Sequence, residues 1–217
     1  MSFLIKICGI TTAADAAMAA HAGADAIGVN FWPGSKRFVG DAAADVLAAV
    51  PAGVLKIGVF VNAPAAEVMQ RAAQFALDRI QLHGDERPKD FSAVPRAMLV
   101  RAIRVRDATS LVEAALWDAD LFLYDAFVAG FGGGGVVAPW AEIGAAPAAR
   151  PFLLAGGLDE HNVGQAVAIA RPAGVDVASG VESAPGRKDP ARVIAFVRAA
   201  RAAADLLLRA GSGRPHS

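Results

Sequence analysis

Two residues of this chain combine proton-transfer chemistry with a revealing place in the sequence. Cys8, the only cysteine, ends the apolar run Leu4-Ile5-Lys6-Ile7-Cys8, and Asp125 ends another, Leu121-Phe122-Leu123-Tyr124-Asp125. A thiol and a carboxylic acid brought to one reacting centre can take one proton and deliver another. Each also has a plain structural reading. Free cysteine is among the most buried residue types, and an aspartate at a strand end also serves as an N-cap or loop anchor. Asp125 nevertheless sits where a carboxylate is costly to bury unless it is paired or protonated. His83 closes Arg79-Ile80-Gln81-Leu82-His83 ahead of Gly84, either as a ligand-facing group or as a satisfied strand-end histidine. Arg37, beside Lys36 in the loop from Phe31 to Val39, carries a planar fork able to clamp a carboxylate, or is simply solvated. The spacing of His21, His83 and His161 makes no metal motif.

These residues gain meaning from the elements that carry them. Short apolar strands are expected at Leu4–Cys8, Asp25–Asn30, Val54–Val61, Arg79–His83, Ala97–Ile103, Leu121–Asp125, Pro151–Ala155 and Val175–Ala178. Helical stretches alternate with them: Ala13 to Ala22 with Thr11 or Thr12 as N-cap, Asp41 to Val50, Ala65 to Phe75, Ala108 to Leu116, Trp140 to Ala146, Glu160 to Ala170 and Pro190 to Arg209. Glu86 to Ala93 reads as a short helix or turn. No hairpin signal stands between the strands. Strict alternation implies a parallel sheet, and eight units imply a closed single-domain (β/α)8 TIM barrel, class α/β, in place of an open doubly wound sheet. The barrel is expected over residues 1–203, with 204–217 as the end of the last helix and a mobile tail.

In such a barrel all strand carboxyl ends open on one face, so Cys8, Asn30, His83, Asp125, Gly156-Gly157 and Ser179-Gly180 are expected to converge there. The last two follow the seventh and eighth strands, where barrels commonly hold phosphate on backbone N–H groups that glycine lets an anion approach. A lone Gly-Gly is equally a turn. Two such turns on consecutive strands, the second with a serine hydroxyl, point to phosphate at Gly156, Gly157, Ser179 and Gly180.

Composition narrows the partner. With 21 basic and 21 acidic residues the formal net charge is zero, so no charged field points to nucleic acid. One cysteine excludes an internal disulfide framework and a multi-Cys zinc site and agrees with a reducing compartment. No apolar stretch approaches the roughly 18 residues of a membrane span, and Met1-Ser2-Phe3 lacks the pattern of a secretory signal. A cytoplasmic enzyme with a small-molecule partner, without nucleic acid or membrane, is expected.

The motifs Lys6-Ile7-Cys8-Gly9-Ile10-Thr11, Gln81-Leu82-His83-Gly84, Leu154-Ala155-Gly156-Gly157-Leu158 with Asn162-Val163, and Gly174 to Glu182 with Gly186 and Lys188-Asp189 occur in unbroken order. Together they resemble the phosphoribosylanthranilate isomerases of tryptophan biosynthesis, from Lys6 to about Val197. The resemblance implies an aldose–ketose isomerase with no cofactor, a phosphosugar substrate, and a monomer in preference to a homodimer. The reaction it implies is the Amadori rearrangement of N-(5-phosphoribosyl)anthranilate to 1-(2-carboxyphenylamino)-1-deoxyribulose 5-phosphate. It makes Cys8 the general base and Asp125 the general acid. Arg37, His83 and Asp176 become substrate contacts, Arg37 on the anthranilate, and Gly156, Gly157, Ser179 and Gly180 the phosphate site. Since a thiol with a pKa near 8.5 is only a few per cent ionised at neutral pH, Lys6 is a candidate for lowering it. Two departures stand out. Gly132-Gly133-Gly134-Gly135 replaces the usual Gly-Gly-Thr-Gly, and Ser35-Lys36-Arg37 replaces Ser-Pro-Arg, which should loosen the turn before the arginine.

Overall fold

A computed structural model describes residues 2–126, 137–146 and 150–212. Eight parallel strands close into a barrel in chain order: β1 (Leu4–Cys8), β2 (Ala26–Asn30), β3 (Leu55–Phe60), β4 (Arg79–Leu82), β5 (Leu99–Val105), β6 (Leu121–Ala126), β7 (Phe152–Leu154) and β8 (Gly174–Val177). Closure is made by β1 on β8, with Lys6 beside Asp176 in register. Among the described residues six α-helices accompany them: α1 (Ala13–His21), α2 (Ala43–Ala48), α3 (Ala65–Gln74), α4 (Trp140–Ala145), α5 (Val163–Ala170) and α6 (Pro190–Ser212). Thr12 is the N-cap of α1, its hydroxyl accepting the Asp15 N–H at 3.1 Å.

Period-two alternation along each strand sorts the side chains into two layers. Ile5, Ile7, Ile27, Phe122, Leu154 and Val175 face the helices and build the larger core. Val100, Ala102, Leu121, Leu123, Leu153 and Ala155, with Leu4 against them, form a separate cluster that fills the lumen. Lys6 and Cys8 follow Leu4 at steps of two and therefore point into that lumen, above its apolar floor.

Several features differ from the sequence expectation. Ala108–Leu116 is 3-10 helix, opened by the Asp107 side chain accepting the N–H groups of Thr109 and Ser110; the β-branched Thr109 and Val112 weaken the α form. The final helix runs on to Ser212, past the expected end at Arg209, while 213–217, like the tetraglycine segment, lie outside the described residues. A hairpin the sequence reading omits, β9 (Glu182–Ala184) and β10 (Arg187–Lys188), stands between β8 and α6. Its strands of three and two residues are too short for any periodic signal, and only Pro185-Gly186, with Gly186 at φ +80°, marks the turn. Thr11 donates to the Gly186 carbonyl at 2.6 Å, tying the hairpin to the loop after β1.

Candidate active site

The strand ends converge as expected on one cavity of about 560 Å³ whose wall includes Cys8, Asn30, Arg37, His83, Asp125, Asp176 and Ser179. Cys8 stands at the end of β1 with partial exposure. Beneath it Lys6 is fully buried and its ammonium donates to Asp176 at 2.8 Å. Gly28 of β2 makes this possible, because a Cβ there would come within 2.9 Å of both Cys8 Sγ and Lys6 Cε. Burial opposes the Lys6 charge, but Asp176 and the neighbouring thiol outweigh it and hold Lys6 above the usual lysine pKa. The thiol benefits only in part. Burial first, and the Asp176 carboxylate second, push Cys8 up; the Lys6 ammonium offsets only part of this. Lys6 thus acts on the thiol in the expected direction, lowering it through its charge and its hydrogen bond, but burial and Asp176 outweigh that help and leave the Cys8 pKa above its usual value.

Asp125 lies on the wall formed by β4 and β6. Asp125 Oδ1 accepts the N–H of Ala126 at 2.8 Å, and its Oδ2 lies 3.3 Å from His83 Nε2. On its other side the His83 ring meets Gln81, with Nδ1 2.9 Å from the amide Nε2. Gln81 is 1% exposed and its Oε1 has no hydrogen-bond partner among the described residues. Gly156, at φ +85°, allows the turn after β7 to approach this wall, since a Cβ there would meet Ala126 N at 2.5 Å and Asp125 Oδ1 at 2.9 Å.

Arg37 crosses the mouth of the cavity above Gly9. A Cβ at Gly9 would fall 2.3 Å from Arg37 Cδ, so the glycine after Cys8 is required by the arginine as well as by its own φ of +72°. The guanidinium is held edge-on by Glu182 of the hairpin, Nε to Oε1 and Nη2 to Oε2, both at 2.7 Å. Lys188 reaches the same carboxylate at 2.9 Å. Burial works against the Glu182 carboxylate, yet Arg37 and Lys188 prevail and keep its pKa below the usual value, while burial lowers that of Lys188. The turn before Arg37 is not loose. Ser35 Oγ accepts the Arg37 N–H at 3.0 Å and the Asn30 amide at 3.2 Å, and these bonds take over the restraint a proline would supply.

The two glycine turns are neighbours. Gly180 packs so closely on the turn after β7 that a Cβ would lie 1.9 Å from the Leu158 carbonyl oxygen. Gly157, at φ +63°, has its carbonyl held by Asn162 at 2.7 Å. Ser179 lines the cavity, whereas Gly156, Gly157 and Gly180 are not part of its lining. Among the described residues no cluster of three His, Cys, Asp or Glu could hold a metal ion.

Every sequence-predicted site residue is thus at the same end of the barrel. Gln81 and Glu182 were missed as participants. Gln81 carried a legible signal, a polar residue two positions before His83 on an apolar strand, whereas Glu182 depends on the short hairpin.

A family model described as N-(5'phosphoribosyl)anthranilate (PRA) isomerase matches residues 5–199. The N-(5'-phosphoribosyl)anthranilate isomerase of Magnetococcus marinus is 47% identical over 207 residues, covering 94% of this chain and 98% of that protein. The crystal structure of the Thermotoga maritima phosphoribosyl anthranilate isomerase superposes with a TM-score of 0.85 at 32% identity, over 92% of this chain and 99% of that one. A phosphoribosyl anthranilate isomerase crystallised with reduced 1-(o-carboxyphenylamino)-1-deoxyribulose 5-phosphate superposes with a TM-score of 0.80 at 30% identity, over the same shares.

Proposed function

Since the chain belongs to the N-(5'-phosphoribosyl)anthranilate isomerase family and is therefore an isomerase of tryptophan biosynthesis, we propose that Cys8 and Asp125 are its base and acid. The observation that carries this reading is that Cys8, Asp125 and Arg37 line one cavity at the carboxyl ends of the strands. Asp125 delivers a proton to the furanose ring oxygen, the bond from that oxygen to C1 breaks, and the anthranilate nitrogen supplies the electron pair that leaves an iminium at C1. Cys8, as thiolate, takes the proton from C2, and those electrons form the enolamine. Tautomerisation of the enol to the C2 ketone, with protonation at C1, completes an isomerisation that consumes no reagent.

The protonation states follow from the surroundings. In the resting protein burial and Asp176 disfavour the thiolate. The iminium, a cation formed next to C2, both acidifies that C–H and attracts the thiolate, so Cys8 becomes an effective base once the ring has opened. Asp176 is the substrate-side partner of Lys6, and the rigid Lys6–Asp176 pair presents a carboxylate oxygen to the ribose hydroxyls. Arg37, with Nε and Nη2 committed to Glu182, keeps Nη1 for the anthranilate carboxylate. The adjoining turns at Gly156-Gly157 and Ser179-Gly180 are read as the phosphate site, supported by their closeness to each other after β7 and β8.

Turnover of N-(5-phosphoribosyl)anthranilate, followed as loss of its fluorescence, is the direct test. Conversion by the wild-type chain with loss in both Cys8→Ala and Asp125→Asn is the expected result. Binding of the phosphorylated ligand without conversion by the wild type would replace this reading with that of a metabolite-binding barrel. No helix among the described residues is long and apolar enough to cross a membrane, which agrees with a cytoplasmic setting for such an enzyme. The chain is taken as a monomer, which size-exclusion chromatography with light scattering checks.

A further inference from the structure

The acid wall contains a buried side chain that the reaction above does not use. Gln81 is almost fully enclosed, lies on β4 two residues before His83, and places its amide nitrogen 2.9 Å from His83 Nδ1. His83 Nε2 in turn lies 3.3 Å from Asp125 Oδ2. Building on the assignment of Asp125 as the acid, we infer that Gln81 is a positioning residue that fixes His83 in the Nε2–H tautomer, so that the imidazole presents a donor to the carboxylate left behind when Asp125 gives up its proton.

Two arguments select this polarity. With Nε2 of the amide donating to Nδ1, the neutral imidazole must carry its proton on Nε2, facing Asp125. With the amide reversed, the proton would sit on Nδ1 and a bare nitrogen lone pair would face a carboxylate oxygen at 3.3 Å, which is repulsive once Asp125 is ionised. The reversed amide would also leave its NH2 unpartnered in place of Oε1, and a buried orphan carbonyl is the more readily tolerated of the two. The 3.3 Å separation lacks hydrogen-bond alignment in the resting protein, as is common for catalytic contacts that tighten only with substrate bound. Two donors then receive the charge that develops on Asp125: the Ala126 N–H on Oδ1 at 2.8 Å, and His83 on Oδ2. Stabilising a conjugate base in this way strengthens the acid when it acts. Because the interaction is made only as the proton leaves, its loss appears in kcat and leaves KM nearly unchanged.

The test reads the tautomer and the kinetics separately. Nitrogen-15 NMR of the imidazoles in the intact wild-type protein should show His83 protonated at Nε2; a proton on Nδ1 overturns the inference whatever any variant does. Gln81→Met keeps the volume and removes the donor. It should release the tautomer and lower kcat by about tenfold to a hundredfold with KM changed less than about threefold. In a His83→Gln background residue 83 donates an amide without any choice of tautomer, so adding Gln81→Met there should cost less than about twofold. Equal losses in both backgrounds would mean that Gln81 does not act through His83. The tautomer reports on Gln81 independently of Asp125, whereas turnover by Asp125→Asn tests the acid assignment alone, so the two failures are distinguishable.

Discussion

Two buried cations sit in apolar strands of this barrel and have opposite duties. Lys6 on β1 and Arg101 on β5 look alike in sequence, each a lone charge in an apolar setting, Leu4-Ile5-Lys6-Ile7-Cys8 and Leu99-Val100-Arg101-Ala102-Ile103. Both are enclosed, at 0% and 4% exposure, and both meet a carboxylate, Asp176 at 2.8 Å and Glu86 at 2.7 Å. Strand parity separates them. Lys6 faces the lumen under Cys8, where its pairing with Asp176 decides how much charge the thiol feels. Arg101 faces outward, binds Glu113 as well, stacks 4.7 Å from the Trp117 ring centroid, and donates to the Gly84 carbonyl. The inner pair sets the electrostatics around Cys8, the base of the proposed reaction. The outer one is a clamp on the turn that follows His83. A buried ion pair thus takes its role from the face it occupies.

The largest effects belong to the residues the inner pair serves. Cys8→Ala and Asp125→Asn should each lower kcat by about two to four powers of ten, with KM much less affected, in single-turnover and steady-state assays. Full activity in either would remove the reason to set the inner pair apart from the outer one.

Next in size is the loss of one partner from each pair, which leaves a buried charge alone and costs about 3–5 kcal/mol in denaturant unfolding. Asp176→Asn and Arg101→Met should both show it, but only Asp176→Asn should move the ionisation of Cys8. Asp176 pushes the thiol's pKa up and engages Lys6, so its removal should shift the pH dependence of Cys8 alkylation by iodoacetamide to lower pH. In the wild type, alkylation should keep rising with pH beyond the range of an ordinary thiol, because the raised pKa leaves little thiolate below it. The stability linkage runs the other way: the raised Lys6 pKa means its pairing energy is complete below the unfolded-state value of 10.5 and is lost only as pH rises through the folded one. A shift of the alkylation profile in Arg101→Met would erase the distinction between the two faces.

Between these extremes stands Arg37, half inside the cavity and anchored to Glu182. Arg37→Ala should raise KM by one to two powers of ten, about 1.5–3 kcal/mol for a charge-assisted contact, and abolish discrimination against a substrate analogue lacking the carboxylate. Retained discrimination would assign the carboxylate to another residue.

The contrast also shows what the chain reveals before it folds. Strand order, closure and the gathering of Cys8, Asn30, His83, Asp125 and Ser179 were legible, because a parallel barrel brings every strand end to one face and each strand carries its own apolar signal. The inner pair was legible in part. Lys6 and Asp176 both stand at inward parity, but their contact requires β1 to meet β8, so Lys6 read correctly as a helper of Cys8 while the larger opposing effect of Asp176 stayed hidden. The anchoring of Arg37 was not legible. It rests on Glu182 and Lys188, which only a hairpin with strands of three and two residues brings together, and such strands have no periodicity to read. Nor was the outer clamp, since Glu86 and Glu113 belong to connections between strands, where spacing carries no register.

The smallest expected effect sharpens the outer half of the comparison. Trp117 is 4% exposed, packs its ring under the Arg101 guanidinium and lies against Phe91, with ring centroids 6.5 Å apart. Trp117→Phe keeps an aromatic face beneath the cation but a smaller one with a weaker quadrupole, and it leaves part of the indole's volume unfilled. The combined loss should be about 1–2 kcal/mol in urea unfolding, from a weakened cation–π contact and imperfect repacking. Arg101 would keep Glu86, Glu113 and the Gly84 carbonyl, so the turn after β4 would hold its place and His83 would still face Asp125. Activity measured well below the unfolding transition should therefore stay within about twofold of wild type, because no group that meets substrate has moved. A tenfold fall in kcat with the fold intact would mean that motion of the outer clamp reaches the acid through β4, and the two faces of the barrel could no longer be assigned separate work.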